Sequence, residues 1–185
     1  MLDEYPKQII LKDGTPITLR PLVQGDADSL VAFFQRITPD DRWYLRHDVS
    51  DATLVRQWSL GVDYERVIPI VALKDAQIVG DATLHRRQFG SNRHVGEVRV
   101  VIDPAMRGQR LGTWMMLDLI QLATGLGIEK LVAEIAGSET AAIRAFRLLD
   151  FVREGVIPDF HKDPAGQPCD LVIMVKNLGR TWTDF

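Results

Sequence analysis

Cysteine is almost absent from this sequence, and its single copy, Cys169, has no partner for an internal disulfide. No histidine pattern near Cys169 supports a nucleophile, so we interpret this thiol as a small packing residue. Long apolar runs are also missing, because nowhere do about 18 apolar residues follow one another. The N-terminus lacks the basic region and apolar core of a signal peptide. We therefore expect a cytoplasmic protein with no membrane partner.

Positive charge is not in excess either. The formal net charge is −3 and the sequence pI is about 5.8, whereas a general nucleic-acid binder normally has a basic balance. We therefore expect no nucleic-acid partner.

At 185 residues, with 46% hydrophobic and 25% charged side chains, the chain is long enough for one well-buried core. The sequence predicts one domain over residues 1–185.

The four histidines do not form a metal site by their spacing. His94 and Glu97 are three residues apart in a predicted strand, so their side chains point to opposite faces. A chelating pair needs both side chains on the same side. The sequence therefore predicts no metal.

What the sequence does contain is an anion-binding segment at Val98–Gly112. A β-rich run ends at Pro104, a glycine-marked turn follows, and a long apolar helix begins after it. The backbone N–H groups of such a loop, together with the positive end of the helix dipole, hold phosphate groups. The segment lacks the lysine of a nucleoside-triphosphate loop, and its glycine spacing does not fit the dinucleotide fingerprint.

The remaining pattern predicts alternating strands and helices. A hairpin signal at Asp13-Gly14 opens the chain, and Asp26 or Asp28 lies near the N-cap of a helix that extends to Ile37. Ser138 is predicted to cap a later helix. The strands are predicted at 8–11, 16–20, 67–73, 77–85, 94–102, 130–135, 152–156 and 171–175, with further helices after 38, at 51–60 and at 111–126. The unit at 98–135 requires a parallel crossover in an otherwise antiparallel sheet.

The run Arg107-Gly108-Gln109-Arg110-Leu111-Gly112 resembles the acyl-CoA motif of the GNAT family of N-acetyltransferases, which is Arg/Gln-x-x-Gly-x-Gly/Ala. Arg110 stands where the middle glycine is usual. The resemblance extends, in the correct order, to residues 11–21 with Asp26, to 141–151, and to Gly166 with 170–174. These segments are similar to bacterial protein-acetyltransferase-like members of the family.

The resemblance implies an α/β (α+β) fold: a single domain with a mixed, mostly antiparallel sheet of about seven strands and helices on both faces. It also implies transfer of an acetyl group from acetyl-CoA to a primary amine, either of a small molecule or of a protein lysine or N-terminus. Such a reaction needs a neutral amine, a polarised carbonyl and a proton for the thiolate, but no metal. The alternative is a non-catalytic acyl-CoA-binding regulatory module. A homodimer is left open.

The resemblance further implies a set of cofactor contacts. The backbone near Val100, Val101 and Ile102 would hold the thioester carbonyl and the pantetheine, which lies along the strand as though adding to the sheet. Arg110 would either pair with a CoA phosphate or obstruct it. The complete set of implied contacts is Val100, Val101, Ile102, Arg107, Gly108, Gln109, Arg110, Leu111, Gly112, Thr113, Glu139, Ala142 and Phe146.

Three residues depart from the family pattern. Glu139 replaces an asparagine, and Asp150 replaces a glycine. Phe146 replaces a tyrosine that is proposed in many members to protonate the CoA thiolate. These departures, together with Arg110, keep the non-catalytic module open.

Glu97 is the implied catalytic base, because the resembled members carry a glutamate at this place on the same strand. It would take the amine proton directly or through water. The alternative is a strand carboxylate paired with Arg99, which lies two residues further on the same face. A salt bridge and a catalytic role are compatible. The stretch 38–50 and His161 are expected near the acceptor end of the site.

Overall fold

Eight strands, five α-helices and three short 3-10 helices make up the regular structure of residues 2–179, which are the residues that the computed structural model describes. The strands are β1 (Lys7–Ile10), β2 (Pro16–Pro21), β3 (Val67–Lys74), β4 (Gln77–His85), β5 (Val95–Ile102), β6 (Lys130–Ala136), β7 (Val152–Lys162) and β8 (Pro168–Asn177). The helices are α1 (Ala27–Arg36), α2 (Pro39–Trp43), α3 (Ala52–Leu60), α4 (Leu111–Gly125) and α5 (Thr140–Arg147).

All eight strands belong to one mixed sheet in the order β1-β2-β3-β4-β5-β6-β8-β7. Strands β5 and β6 are parallel, and every other neighbouring pair is antiparallel. Parallel neighbours cannot be joined by a tight turn, so α4 makes the crossover between β5 and β6. The predicted crossover within an antiparallel sheet is confirmed.

All eight strands predicted from the sequence pattern are present, whereas the count of about seven that the family resemblance implies is one too low. Both strands of the opening hairpin join the sheet, because β2 pairs with β1 on one side and with β3 on the other. The last two strands are also longer than the predicted 152–156 and 171–175. They extend because β7 and β8 continue to pair beyond irregularities after Arg153 and Ile157.

Side-chain caps fix the starts of two helices. The Thr38 hydroxyl accepts a hydrogen bond from the backbone of Asp41 at the start of α2, and Asp51 caps α3 through the backbone N–H groups of Thr53 and Leu54. The prediction that Ser138 caps α5 is wrong, because Glu139 is the residue at the N-cap. Glu139 makes no side-chain cap bond, so α5 begins without one.

Asp26 lies at the predicted N-cap of α1, but its side chain makes no cap bond. The carboxylate instead accepts two hydrogen bonds from the Arg20 guanidinium, at 2.6 and 2.7 Å. A bidentate charge-assisted pair is stronger than a neutral cap bond, which explains the difference. The pair ties β2 to the start of α1.

Helices cover both faces of the sheet, as predicted. On one face Met115 and Leu119 of α4 pack with Leu84 of β4 in the larger hydrophobic cluster. On the other face Phe33 of α1 and Val55 of α3 belong to a second buried cluster. No helix within the described part of the chain is both long and apolar enough to cross a bilayer.

Candidate active site

The sheet opens between β5 and β6. These strands pair only at Val95 with Lys130, Gly96 with Leu131 and Glu97 with Val132. Beyond Glu97, β5 continues to Ile102 with β4 as its pairing partner. The other backbone edge of 98–102 therefore faces a wedge-shaped opening, where an extended ligand can add to the sheet.

The loop that follows β5 is anchored to α1. The Asp103 carboxylate accepts a hydrogen bond from the backbone of Ala105 at 3.0 Å and another from Arg36 Nε at 2.7 Å. Arg36 also donates to the carbonyl of Ile78 on β4. These contacts fix the direction in which the chain leaves the wedge toward α4.

The glycine-marked loop contains two residues in the left-handed conformation. Gly108 has φ 76°, and Arg110, the residue that precedes α4, has φ 66°. Arg110 thus adopts the backbone conformation that a glycine would adopt more easily. The first turn of α4 then presents N–H groups and the positive end of its dipole beside the wedge.

The predicted cofactor residues of this loop occupy different environments. Arg107 is half-exposed, and its Nη2 donates to the Asp41 carboxylate of α2 at 2.8 Å. Gln109 accepts a hydrogen bond from the backbone of Lys12 through its carbonyl. Leu111 is buried in the core, whereas Arg110 is exposed and Thr113 is partly exposed.

At Gly112 a Cβ atom would lie 3.5 Å from Ile102 Cγ1, so α4 packs closely on the end of β5.

The three implied contacts on α5 are separated by their burial. Glu139 lies at the N-cap of α5, and Ala142 packs against the larger cluster while staying partly exposed. Phe146 is only 5% exposed and stacks edge-on against Phe151, with ring centroids 4.9 Å apart. Asp150, which stands at the family's glycine position, has φ 62° and so takes the left-handed conformation of a glycine.

Glu97 is held by two arginines. Its Oε1 accepts a hydrogen bond from Arg99 Nε at 2.8 Å and lies 3.0 Å from Arg46 Nη2. Arg46 also donates to Glu134 Oε2 of β6 at 2.5 Å. The predicted pair of Glu97 with Arg99 is therefore present, and Arg46 bridges the two sides of the opening.

A cavity of about 560 Å³ lies on the sheet face covered by α1 and α3. Its polar floor comes from β4 and β5, where Asp81 is directly opposite Val101, and Thr83 is directly opposite Arg99. Its apolar walls include Leu22, Leu30, Phe34, Leu45, Val49, Trp58, Val62, Val67 and Pro69. The cavity thus adjoins the same β5 residues whose backbone edge faces the wedge.

Burial perturbs two titratable groups of this cavity in opposite ways. It raises the pKa of Asp81 from 3.8 to about 7, because desolvation disfavours the charged carboxylate. It lowers the pKa of His85 from 6.5 to about 4, with the nearby Arg99 charge adding to the effect of burial. The imidazole of His85 is therefore neutral near physiological pH, and its Nε2 lies 3.0 Å from Thr83 Oγ1.

The segment 38–48 crosses this region and is held near its middle by two neighbouring side chains. Trp43 Nε1 donates to the carbonyl of Lys162 at 2.6 Å, and the Ser138 hydroxyl donates to the Tyr44 hydroxyl at 3.3 Å. The rings of Tyr44 and His161 meet edge-on, with centroids 6.3 Å apart. Arg46 and other residues of this stretch line the cavity, whereas Trp43 and His161 do not.

The sequence analysis missed the polar face of β4. Asp81, Thr83 and His85 alternate along one strand, and this period of two was the available signal that they share a face. Within residues 2–179 no three histidine, cysteine, aspartate or glutamate side chains are grouped so as to hold a metal. The site therefore combines a wedge, a glycine-marked loop and a cavity lined by the half-buried Asp81.

Comparison with known proteins agrees with this architecture. Residues 30–151 match the acetyltransferase (GNAT) family model. A Bacillus subtilis (strain 168) protein named "Putative phosphinothricin acetyltransferase YwnH" is 24% identical over 177 residues, covering 88% of this chain and 99% of the relative.

Two solved structures share the fold. The GNAT domain of S. lividans PAT has a TM-score of 0.78 at 17% identity, covering 95% of this chain and 98% of that one. Salmonella typhimurium yncA, solved with its cofactor acetyl-CoA, has a TM-score of 0.76 at 22% identity, covering 89% and 95%. Since the family model spans residues 30–151 of the 185, this chain belongs to the GNAT family of acetyltransferases.

Proposed function

We propose that this protein transfers an acetyl group from acetyl-CoA to the nitrogen of a primary amine, with residues 1–185 acting as one catalytic domain. The observation that carries the proposal is the position of β5, whose residues beyond Glu97 border the opening toward β6 and whose Arg99 and Val101 line the cavity. A donor held in the wedge and an acceptor held in the cavity would meet at β5. A cytoplasmic location and a homodimer stay predictions.

The pyrophosphate of acetyl-CoA would bind at residues 107–113, where the loop N–H groups and the start of α4 provide positive potential. Arg107 and Arg110 are exposed enough to reach phosphate oxygens and would form charge-assisted hydrogen bonds with them. The pantetheine would lie along Val100–Ile102, whose outer edge pairs with no strand of residues 2–179. Ala142 and Glu139 of α5 would lie on the other side of the wedge.

Phe146 cannot donate a proton, so the proton for the leaving thiolate would come from the attacking nitrogen. The amine nitrogen attacks the thioester carbon, and a backbone N–H near Val100–Ile102 stabilises the oxyanion. The carbon–sulfur bond then breaks, and the thiolate takes the proton that the nitrogen loses as the amide forms. The role of Glu97 as base stays a prediction, and it would require Arg46 or Arg99 to release Oε1. Metal independence is likewise part of the proposal.

The acceptor is either a small amine or a protein amine. The apolar walls of the cavity favour a small molecule with an apolar body. The name of the Bacillus relative makes phosphinothricin a compound to include among the acceptors. Peptides that begin with alanine or contain lysine represent the protein acceptors.

Two assays test the proposal. Acetyl-CoA should raise the melting temperature, because a ligand that binds only the native state stabilises it in proportion to ln(1 + [L]/Kd). CoA release should then depend on an added amine. No melting shift with millimolar acetyl-CoA would exclude both acetyl transfer and acyl-CoA binding at this site.

One alternative function has specific support. Arg110 occupies a glycine position, and Phe146 occupies that of the usual acid, as a non-catalytic acyl-CoA-binding module would allow. Such a module would be stabilised by acetyl-CoA, but it would release no CoA with any amine acceptor.

Metal independence has its own test. If the transfer needs no metal, EDTA-treated protein should release CoA at the same rate as untreated protein.

A further inference from the structure

Asp81 lies near the centre of the sheet, on the face that lines the cavity. It is directly opposite Val71 of β3 on one side and Val101 of β5 on the other. Side chains directly opposite each other in an antiparallel pair have Cβ atoms about 4.5–5.5 Å apart. The Asp81 carboxyl group therefore lies beside the strand residues that we propose hold the thioester.

One carboxyl oxygen of Asp81 has no hydrogen-bond partner. Its Oδ1 is closed off from solvent, and no described residue donates to it. The other buried side-chain atom in this state within residues 2–179 is Arg86 Nε, and Arg86 does not line this cavity. Buried carboxyl oxygens nearly always accept hydrogen bonds, because an unpaired one costs free energy. Asp81 as a whole is partly exposed and lines the cavity, so a ligand with N–H donors that enters the cavity meets a carboxyl group with unused hydrogen-bonding capacity.

Glu97 is in the opposite situation. Its Oε1 already contacts the guanidinium groups of Arg99 and Arg46. Glu97 is directly opposite His85, four residues along β4 from Asp81, which corresponds to about 13 Å along the strand. The two carboxyl groups therefore cannot both contact one nitrogen atom, and Asp81 is the one without a competing cation.

We propose that Asp81 binds the ammonium group of the acceptor and takes its proton, so that Asp81 rather than Glu97 is the catalytic carboxylate; this inference rests on the proposed acetyl transfer. The ammonium first donates a hydrogen bond to the carboxylate and then gives it one proton. The neutral amine attacks the thioester carbon and the carbon–sulfur bond breaks, its electron pair going to sulfur. The second nitrogen proton passes to the thiolate, and Asp81 returns its own proton to water.

The charged surroundings of Asp81 fit this role. The neighbours directly opposite it are both valines, and Arg20, opposite Val71 on β2, is paired with Asp26. The other titratable or permanently charged groups that line the cavity are Arg46, His47, Asp63, Arg66, His85 and Arg99.

Most of these groups are already accounted for. Arg46 and Arg99 contact Glu97, and His85 is neutral near physiological pH. Asp63 and Arg66 are exposed at the rim. An ammonium group that enters the cavity therefore meets Asp81 as its buried anionic partner.

The first experiment compares Asp81→Asn, Glu97→Gln and Asp75→Asn with the wild type. Asp75→Asn is the matched control, since Asp75 lies in the turn at the far end of the same hairpin, and asparagine tolerates its positive φ of 55°. CoA release is measured with phenethylamine, hexylamine, phosphinothricin and an alanine-initiated tetrapeptide. We expect Asp81→Asn to lower kcat/KM by about 100-fold or more. Glu97→Gln, which tests the competing base, should lower kcat/KM far less than Asp81→Asn does, and only Asp75→Asn should match the wild type.

The pH profile separates a catalytic role from a structural one. Wild-type kcat/KM should rise as pH increases through about 7, because the carboxylate form of Asp81 is the one that takes the proton. This limb of the profile should be missing in Asp81→Asn with the same amine. A merely structural Asp81 would lower activity without changing the shape of the profile.

A titration of CoA-saturated protein with the same amines gives a readout that needs no turnover. The wild type should bind at least one amine, and Asp81→Asn should bind it about tenfold more weakly or worse, as expected for loss of a charge-assisted bond. If acetyl-CoA binds but no CoA is released, the proposed transfer fails, and this titration alone decides for or against Asp81. Equal amine binding by both proteins, or no amine binding by the wild type, would overturn the inference. In the CoA-release assay, an active Asp81→Asn together with an inactive Glu97→Gln would overturn it as well.

Discussion

The Arg107 guanidinium donates to the Asp41 carboxylate at 2.8 Å, which joins the first residue of the glycine-marked loop to the helix that precedes the cavity-lining segment. Partial burial alone would raise the pKa of Asp41, but hydrogen bonds from Arg107 and Thr38 lower it overall. The negative charge of Asp41 therefore competes with any phosphate for Arg107. This ion pair links the loop proposed to bind the acyl donor to the helix that precedes the cavity-lining segment.

This competition predicts opposite effects of two substitutions on acetyl-CoA binding. Arg107→Ala should raise the Kd for acetyl-CoA about fivefold to tenfold, since it removes a phosphate partner. Asp41→Asn should lower the Kd up to about fivefold, the range of an exposed ion pair. Isothermal titration with acetyl-CoA checks both. A weaker affinity in Asp41→Asn would mean that the pair orders the loop for binding instead of competing with it.

Arg110 gives a prediction in which stability and affinity change in opposite directions. Its left-handed backbone costs about 1 kcal/mol for a residue other than glycine, so Arg110→Gly should leave the ligand-free protein equally stable or slightly more stable. Its exposed side chain is free to reach a CoA phosphate, so the same substitution should raise the Kd for acetyl-CoA several-fold. Urea unfolding and acetyl-CoA titration measure the two effects. Tighter binding by Arg110→Gly would show that Arg110 obstructs the cofactor.

Asp103 should be the most sensitive side chain outside the reacting centre. It is buried, caps the turn after β5 and pairs with Arg36. Asp103→Ala removes the cap and leaves Arg36 without its anion, so we expect a loss of about 2–3 kcal/mol in the free energy of unfolding.

The matched control for Asp103→Ala is Asp28→Ala, which breaks the exposed pair with Arg56. It should change the free energy of unfolding by less than about 1 kcal/mol. Urea denaturation of both variants measures the difference. Equal effects of the two substitutions would contradict the assigned role of Asp103.

Asp81 should make stability depend on pH. Its pKa is about 7 in the folded protein against 3.8 in the unfolded chain, so the folded state binds more protons between these values and stability falls as pH rises from about 4 to about 7. Asp81→Asn removes this loss and should be more stable than the wild type at about pH 8, by as much as about 4 kcal/mol. Thermal unfolding over this pH range measures the effect. A destabilised Asp81→Asn at about pH 8 would indicate that an unseen partner holds the carboxylate.

His85 should act in the opposite direction. Its pKa is lowered to about 4 from 6.5, so its contribution to stability is present above about 6.5 and is lost as pH falls toward about 4. In the wild type this loss partly cancels the gain from Asp81 protonation. Asp81→Asn should therefore lose stability on acidification more steeply than the wild type does. The double variant Asp81→Asn/His85→Gln should restore a flat dependence between these pH values.

Local patterns predicted most of the fold. Positions that are buried against neighbouring elements carry apolar residues, so they can be recognised in the sequence. Examples are the alternation in 77–85 and 94–102 and the apolar stripe of 111–126. The strand–helix–strand order then predicted the parallel crossover and the approximate position of the glycine-marked loop. The left-handed backbone of Asp150 also agrees with the glycine that the family carries at this position.

The chemistry of the cavity could not be predicted in this way. Asp81 lies in a strand that alternates as many exposed strands do, and the packing of α1 and α3 over that face leaves it half-buried. The contacts of Arg46 with Glu97 and Glu134 join residues that are far apart in the sequence. Such contacts depend on the tertiary fold, and the residue types alone allowed Glu97 to be either a base or an ion-pair partner.

The most direct test of acetyl transfer through Asp81 is mass spectrometry of the amine after incubation with acetyl-CoA and each protein, together with the amount of CoA released. We expect the wild type to form one acetylated amine for each CoA released, and Asp81→Asn to form it about 100-fold more slowly while still binding acetyl-CoA. Protein that binds acetyl-CoA and amine but leaves every amine of the panel unacetylated would contradict the proposed transfer.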